Sequence, residues 1–144
     1  MIDITLAETE VMRVLWSKSP SCSREIIDSL QASSDWKEGT IKSLISRLVH
    51  KGYIEKDTST KPFSLHANIS IEDTVLSNLH QALNPICHMK RGEMLGMLIE
   101  QSDISKEDCQ HLIQLVTHKE KVAPDHVSCQ CPKGQCQCHH HYSA

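Results

Sequence analysis

The apolar pattern in the first 67 residues restricts the fold more than any other feature of the sequence. Three short stretches carry apolar side chains at helical spacing, and they begin near Thr5, Ser23 and Lys37. Thr5 followed by Glu8 three positions later is a capping-box signature, and Ser23 is the predicted cap of the second helix. Pro20 ends the first stretch. The pattern therefore predicts three small helices that share one core.

Two short extended pieces follow the third helix. They cover residues 53–57 and 62–67, and the polar residues 58–61 between them are predicted to form a hairpin loop. Gly52 suits the position just past the end of the third helix. Three small helices followed by a two-stranded hairpin predict a winged helix-turn-helix.

A second set of helical patterns begins after residue 67. Ser70 and Ser105 are predicted helix starts, and Met89 is predicted to begin a helix between them. These helices carry more apolar surface than so short a segment covers alone, and a domain of this size is marginal by itself. We therefore expect burial against a second copy of the chain.

The predicted fold class is mainly α, with three parts. Residues 1–67 form a winged helix-turn-helix of three helices and a β-hairpin wing, residues 68–122 form a helical dimerisation region, and residues 123–144 form a flexible, Cys-rich metal-binding tail. Aromatic residues make up only 3% of the chain, so Leu, Ile, Val and Met must supply the core.

The third helix carries a polar face that suits DNA. Small polar residues let a helix enter the ~12 Å major groove, while Lys and Arg donate to phosphates and guanine edges. The net charge of −3 gives no hint of nucleic acid, but residues 37–51 contain four Lys or Arg and one acidic residue. A solvated surface helix is the alternative. The candidate DNA-binding residues on this helix and at the wing tip are Lys37, Thr40, Lys42, Ser43, Ser46, Arg47 and Lys61.

Four of the seven cysteines fall within ten residues of the tail, at Cys129, Cys131, Cys136 and Cys138. Thiolates are soft donors that select Zn(II) or Cu(I). Structural zinc sites usually space their pairs as Cys-x2-Cys, whereas the tighter Cys-x-Cys pairs suit a small Cu(I)–thiolate cluster. Pro132 and Gly134 are predicted to help the chain turn between the pairs.

The remaining cysteines and the terminal histidines receive different interpretations. Cys22, Cys87 and Cys109 are isolated in or beside predicted helices, so we expect buried structural thiols. The histidines at 139–141 could add nitrogen ligands or simply belong to the tail.

Other classes of protein find little support. No apolar run approaches the roughly 20 residues of a membrane span, and the start lacks the layout of a signal peptide. We therefore expect a cytoplasmic chain without membrane partners, where clustered cysteines point to metal rather than disulfides. A nucleophile with a partnered base and a phosphate loop are both missing, so we expect no enzyme.

Two stretches of the sequence resemble the BlaI/MecI family of bacterial winged-helix repressors. They are AETEVMRVLW at residues 7–16 and DWKEGTIKSLISRLVHKG at residues 35–52. The four-cysteine tail resembles the CopY-type, copper-responsive branch of that family. Thr9 departs from a position that is often Trp, and the wing lacks the usual Gly-Arg and aromatic alternation, so DNA contacts are expected from the helix first.

The resemblance implies a homodimer that represses a copper-homeostasis operon by binding a short palindromic operator in double-stranded DNA. It implies that the DNA-binding form holds Zn(II) in the cysteine hook of each subunit, and that two Cu(I) ions per hook displace the zinc and release the DNA. A copper chaperone could donate the Cu(I). By position, the resemblance also implies that the recognition residues are Lys37, Thr40, Lys42, Ser43 and Arg47.

Two other functions stay open at this point. A β-lactam-responsive repressor of the same family is inactivated by proteolysis and needs no thiolate tail. A copper carrier or store of metallothionein type would use only the tail and would bind no specific DNA.

Overall fold

The computed structural model describes residues 1–136 and residue 138. The chain divides into two compact units, Met1–Gln81 and Ala82–Ala144, and the division falls in the last turn of the fourth helix. The predicted domain boundaries after residues 67 and 122 stay predictions. In chain order the elements are α1 (Leu6–Ser17), α2 (Ser23–Ser33), α3 (Glu38–His50), β1 (Ile54–Asp57), β2 (Ser64–Ala67), α4 (Ile71–Leu83), a 3-10 turn (His88–Lys90), α5 (Arg91–Gln101) and α6 (Lys106–Glu120).

The start of α1 confirms the predicted capping box. The Glu8 amide donates to Thr5 Oγ1 at 3.1 Å, and the Thr5 amide donates to Glu8 Oε2 at 3.2 Å. The prediction for α2 was wrong by one residue, because Cys22 is the cap and Ser23 is the first helical residue. Glu25, three positions after Cys22, accepts the Cys22 amide at 3.4 Å and so sets the earlier start.

One aliphatic core holds the first unit together. α1, α2 and α3 pack on one another, and one residue from each strand closes the core beneath the wing. No aromatic side chain is among the buried members of this cluster in the described residues, which confirms the expected core composition. Its buried members are Val11, Met12, Leu15, Ile26, Ile27, Leu30, Ile41, Leu44, Ile45, Leu48, Ile54 and Leu65.

The wing is an antiparallel pair in which Ile54 faces Ala67 and Asp57 faces Ser64. Both strands are shorter than predicted at their starts, because β1 begins at Ile54 and β2 begins at Ser64. β1 ends at Asp57 as predicted, in an Asx-type turn whose carboxylate accepts the Ser59 amide at 2.9 Å. The connection before α2 joins the sheet through Ser21, which exchanges both backbone hydrogen bonds with Leu65 at 3.1 and 2.8 Å. Three helices with this hairpin form a winged helix, which confirms the predicted fold class.

A buried ion pair links the two ends of the helical core. The Lys51 ammonium lies 2.9 Å from Glu8 Oε2 and 3.1 Å from Oε1, and it also donates to the Asp3 carbonyl at 3.0 Å. Glu8 is only 1% exposed. Hydrogen bonding to this carboxylate raises the pKa of Lys51 above its usual value. The start of α1 is therefore fastened to the end of α3.

Only one of the two helices that lie wholly in the second unit, α6, begins with a clear local signal among the described residues. Ser105 caps α6, because the Asp108 amide donates to its Oγ at 3.0 Å. A 3-10 turn takes the place of the predicted helix start at Met89, and α5 begins at Arg91 instead. None of the described side chains of α5 or α6 is buried within the single chain. Among the described residues, no helix is long and apolar enough to cross a membrane.

We expect Lys51→Met to lower the melting temperature by several degrees, because it leaves the buried Glu8 carboxylate without its cation. Thermal unfolding followed by circular dichroism measures this. Lys42→Met is the matched control, since Lys42 pairs with Glu38 at 3.9 Å on an exposed surface and such pairs contribute little. Equal melting temperatures for the two variants would contradict the importance of the buried pair.

Candidate functional site

The exposed face of α3 carries the predicted recognition residues. Ile41, Leu44 and Leu48 of this helix are buried in the core, so the polar positions between them turn outward. The structure brings six of the seven candidates together on this face or at its N-terminal cap, and all of them are exposed. They are Lys37, Thr40, Lys42, Ser43, Ser46 and Arg47.

A shallow concave surface lies beside this face, between the start of α2, α3 and the wing. Lys42 lines it together with Ser46 on one side and with Lys61 of the wing loop on the other. Arg24 and Lys56 line it too, although the sequence reasoning missed both. Lys56 could have been identified from its position in the predicted first strand of the wing, whereas no signal in the sequence pointed to Arg24. We call Arg24, Lys42, Lys56 and Lys61 the basic concavity.

Local partners hold three of these cations at the surface. Arg24 and Lys42 both pair with the Glu38 carboxylate at the start of α3. The Lys56 ammonium lies 4.8 Å from the centroid of the Phe63 ring, within the range of a cation–π contact. Because such exposed contacts are weak, a phosphate could replace them at small cost. The arrangement suits a polyanion that passes over α3 and the wing.

The second cluster of chemically active side chains lies in the C-terminal unit. The Sγ atoms of Cys87, Cys129, Cys131 and Cys138 all lie within 4.8 Å of one another. We call these four residues the thiolate cluster. Cys136, the remaining tail cysteine, lies beside it, with its Sγ 3.8 Å from that of Cys129. The structure thus brings the four predicted ligands together and adds Cys87, which the sequence reasoning had taken as an isolated structural thiol.

Backbone amides point at three of these sulfurs in the same way. The Cys131 amide donates to Cys129 Sγ at 3.4 Å, and the Cys138 amide donates to Cys136 Sγ at 3.4 Å. The Met89 amide likewise donates to the Sγ of Cys87, which lies two positions earlier in the chain. Donors aimed at a sulfur favour its anionic form. Each of these segments is therefore shaped to present a thiolate.

A tight turn reverses the chain between the two Cys-x-Cys pairs. The Gln135 amide donates to the Pro132 carbonyl at 3.0 Å, and Gly134 has a φ of 84°. A positive φ at the third turn position is the conformation that glycine adopts without strain. This confirms the turn that Pro132 and Gly134 predicted.

Cys87 is presented by the connection between α4 and α5. It caps the 3-10 turn, and the Lys90 amide donates to its carbonyl at 2.9 Å. Residues 84–88 line one narrow cleft together with Gln130, Cys131 and the turn of the tail. The tail therefore lies against this connection within the C-terminal unit.

Hydrogen bonds among the cysteines and from backbone amides shift the pKa values of the thiols. A hydrogen bond from Cys138, assisted by the Met89 amide, lowers the pKa of Cys87 to about 7, while the same bond raises the pKa of Cys138 to about 12. Hydrogen bonding to Cys129 raises the pKa of Cys131, and the Cys138 amide lowers the pKa of Cys136. An ion that binds to these sulfurs must displace the protons that the thiols carry.

The other predicted thiols and histidines lie elsewhere. Cys87 is buried, as expected. Cys22 is only half-buried, so the expectation of a buried thiol was wrong there, because Cys22 is the N-terminal cap of α2. Cys109 is exposed on α6, so the expectation of a buried thiol was wrong for the single chain, because α6 buries none of its described residues. The histidines at 139–141 lie outside the described residues.

Comparison with known proteins gives a consistent result. The profile of the penicillinase repressor family matches residues 4–118. The chain is 40% identical over 137 residues to an uncharacterised 16.5 kDa protein from the ptsI 3′ region of Latilactobacillus sakei, covering 94% of this chain and 93% of the relative. It is 26% identical to the methicillin resistance regulatory protein MecI of Staphylococcus aureus over 117 residues, covering 81% and 95%.

Two further matches are a second curated repressor and a solved structure. The penicillinase repressor of Bacillus licheniformis is 29% identical over 119 residues, covering 82% of this chain and 93% of that one. The solution structure of the DNA-binding domain of the repressor BlaI matches with 34% identity and a TM-score of 0.46, covering 49% of this chain and 87% of that domain. On its sequence, its winged helix and these relatives, the chain belongs to the penicillinase repressor (BlaI/MecI) family of winged-helix, DNA-binding transcriptional repressors, which are not enzymes.

Proposed function

We propose that this chain is a copper-responsive repressor of the CopY type, which binds a palindromic operator of a copper-homeostasis operon as a homodimer. The observation that carries the proposal is the gathering of Cys87, Cys129, Cys131 and Cys138 within 4.8 Å of one another. The family profile ends at residue 118, so the tail cysteines lie outside the part that all such repressors share. A repressor with an added soft-donor cluster is best explained as a sensor of a soft metal.

The geometry of the cluster suits a single Zn(II) ion. Four sulfurs bound at about 2.3 Å in a tetrahedron would lie about 3.8 Å apart. The cluster sulfurs lie within 4.8 Å, so a contraction of about 1 Å or less would complete the site. Zinc held in this way would supply structural order, since small thiolate sites gain roughly 10–16 kcal/mol from the ion.

The thiolate cluster, together with the neighbouring Cys136, would exchange Zn(II) for Cu(I). Cys129 and Cys136, whose sulfurs are 3.8 Å apart, form a close pair of the kind that a small Cu(I)–thiolate cluster uses. Moving the chain from 99% bound to 1% bound to its operator needs about 5.5 kcal/mol of difference between the two metal-loaded states. We propose that the change of ligand arrangement in the cluster supplies this difference, with two Cu(I) ions per tail. No copper chaperone is required, and the comparisons give no support for one.

The N-terminal unit would read the operator through α3. Lys37, Thr40, Lys42, Ser43, Ser46 and Arg47 are proposed as recognition residues, with the Lys61 wing contact as an addition. The rest of the basic concavity would contact phosphates, which position a protein without reading sequence. Operator binding in a bacterium requires the cytoplasmic location that the sequence predicted.

The helices of the C-terminal unit support a homodimer. α5 leaves Leu95, Leu98 and Ile99 about half-exposed, and α6 leaves Ile113 and Leu115 more exposed still. Helices of this length are marginal without tertiary packing. A second copy that covers these faces would also place two α3 helices on the two halves of a palindrome.

A second candidate function comes from the relatives. MecI of Staphylococcus aureus, named a methicillin resistance regulatory protein, aligns with 81% of this chain. A β-lactam-responsive repressor would be inactivated by proteolysis and would ignore metal. The double variant Cys136→Ser, Cys138→Ser separates the two functions, because an unchanged response to metal would favour this candidate.

We expect Arg47→Ala to weaken operator binding by roughly 5- to 150-fold, which corresponds to about 1–3 kcal/mol for a contact with a base. Lys56→Ala should weaken binding to all sequences alike and should lower the salt slope by about one. Fluorescence anisotropy with labelled operator and scrambled duplexes measures both. Arg13→Ala is the control, since Arg13 pairs with Glu10 on α1 and does not line the basic concavity. An Arg47→Ala chain that binds like the control would contradict the proposed recognition face.

We expect Cu(I), added under reducing conditions, to release the Zn(II)-loaded chain from its operator in a gel-shift assay. The double variant Cys129→Ser, Cys131→Ser should lose this response, because two donors of the cluster are gone. Zn and Cu analysis of the same samples shows whether exchange accompanies release. Full retention of DNA by the Cu(I)-loaded wild-type chain would sink the proposed mechanism.

We expect the chain to sediment at twice its 16.2 kDa mass, and Leu98→Glu on α5 to shift it towards the monomer. A charge on a surface buried between subunits costs several kcal/mol of association. Leu6→Glu is the matched control, because Leu6 is the most exposed leucine of the N-terminal unit. A wild-type chain that is monomeric at micromolar concentration would contradict the dimer.

A further inference from the structure

We propose that Cys87 is a metal ligand, which completes a four-thiolate site with Cys129, Cys131 and Cys138 and fastens the tail to the connection between α4 and α5. The inference rests on the proposed function in one respect, that the tail binds a soft metal. It changes the ligand set from one confined to the tail to one that includes the body of the C-terminal unit. Cys136 then lies outside the four-thiolate set.

The positions of the sulfurs favour Cys87 over Cys136 as the fourth ligand. The Cys87 sulfur belongs to the group that lies within 4.8 Å, together with three sulfurs of the tail. Cys87 is 9% exposed and Cys138 is 3% exposed, whereas Cys136 is exposed. A four-coordinate zinc site is closed to solvent, so the buried set fits it better.

Backbone hydrogen bonds fix the position of Cys87 before a metal binds. The Ile86 amide donates to the Leu83 carbonyl at 2.9 Å, and the Lys90 amide donates to the Cys87 carbonyl at 2.9 Å, so the residue lies between two hydrogen-bonded turns. The Arg91 guanidinium donates to the Ile86 carbonyl at 3.3 Å and adds a third support. A ligand fixed by its neighbours loses little freedom when it binds, which favours its use in the site.

The extra ligand changes what metal binding does to the chain. A site made only of tail cysteines would order a ten-residue hairpin and nothing else. A site that includes Cys87 closes the chain from residue 87 to residue 138, so the ion cross-links the tail to the segment that follows α4. Cys136, exposed and 3.8 Å from Cys129, is left free to contact an incoming soft ion.

Co(II) substitution of the full-length chain tests the ligand set, since the intensity of sulfur-to-cobalt charge transfer follows the number of bound thiolates. For Cys87→Ser we expect this absorbance per bound ion to fall by about a quarter, because one of four ligands is lost. The Zn(II) affinity, measured by competition with a chromophoric chelator, should fall by more than the ~10-fold that even an indirect partner of a metal costs. Cys109→Ser, on α6 and outside the cluster, is the matched control and should behave as the wild type.

Two outcomes of the Co(II) experiment would contradict the role of Cys87 as the fourth ligand. If Cys136→Ser loses a quarter of the intensity while Cys87→Ser keeps it all, the fourth ligand is Cys136 and our inference is wrong. That result would leave the proposed function intact. A wild-type chain that binds neither Co(II) nor Zn(II) would instead overturn the proposed function together with the inference.

A second measurement needs no substitution, so it also decides the question if Cys87→Ser fails to fold. Alkylation of the wild-type chain with iodoacetamide, followed by peptide mass spectrometry, compares the labelling rate of each cysteine with and without Zn(II). We expect Zn(II) to slow labelling of Cys87 by the same factor as that of Cys129 and Cys131. Cys22 and Cys109 should be labelled at the same rate in both samples. A Cys87 rate that does not change with Zn(II) while the tail is protected would overturn the inference.

Discussion

The pairing of the Glu8 carboxylate with Lys51 is the interaction on which the position of α3 depends. The carboxylate caps α1 through the Thr5 amide and also accepts the Lys51 ammonium just past the end of α3, at a point 1% exposed to solvent. A buried carboxylate is stable only when it is paired, so the two helix ends cannot separate without a large cost. The apolar core determines which faces of α1 and α3 pack together. The Glu8–Lys51 pair determines how far the two helices are shifted along their axes relative to each other. The exposed face of α3 is thereby fixed relative to α1.

The C-terminal unit obeys a different constraint. It has no comparable core, since none of the described side chains of α5 or α6 is buried in the single chain. Its stability must then come from outside the chain, and two sources are on hand. Under the function proposed above, one is a second subunit against the apolar faces of the helices, and the other is an ion bound by the thiolate cluster. The proposed sensing role fits this dependence, because a change in either partner would alter the structure of the unit.

Much of this structure followed from local sequence. Thr5 and Glu8 marked the start of α1, Gly52 marked the end of α3, and aliphatic spacing marked the core, because each signal acts within a few residues. The start of α5 was misplaced, since the 3-10 turn after Cys87 depends on contacts that no periodic pattern shows. Cys87 itself was missed for the same reason. Its place in the thiolate cluster depends on the packing of the tail against residues 84–88, and a lone cysteine looks the same in the sequence whether or not this packing occurs.

The location of Cys87 has a consequence for how signals change between repressors. It lies within the residues that match the family profile, whereas the tail cysteines lie beyond the profile's end at residue 118. Under the proposed ligand set, a relative would acquire metal sensing through two separate steps, a terminal extension and one substitution between two helices. Neither step changes α3, so under the proposed function the operator sequence and the metal signal would evolve independently. The same separation would then offer a route to transplant the proposed sensor onto another winged-helix repressor.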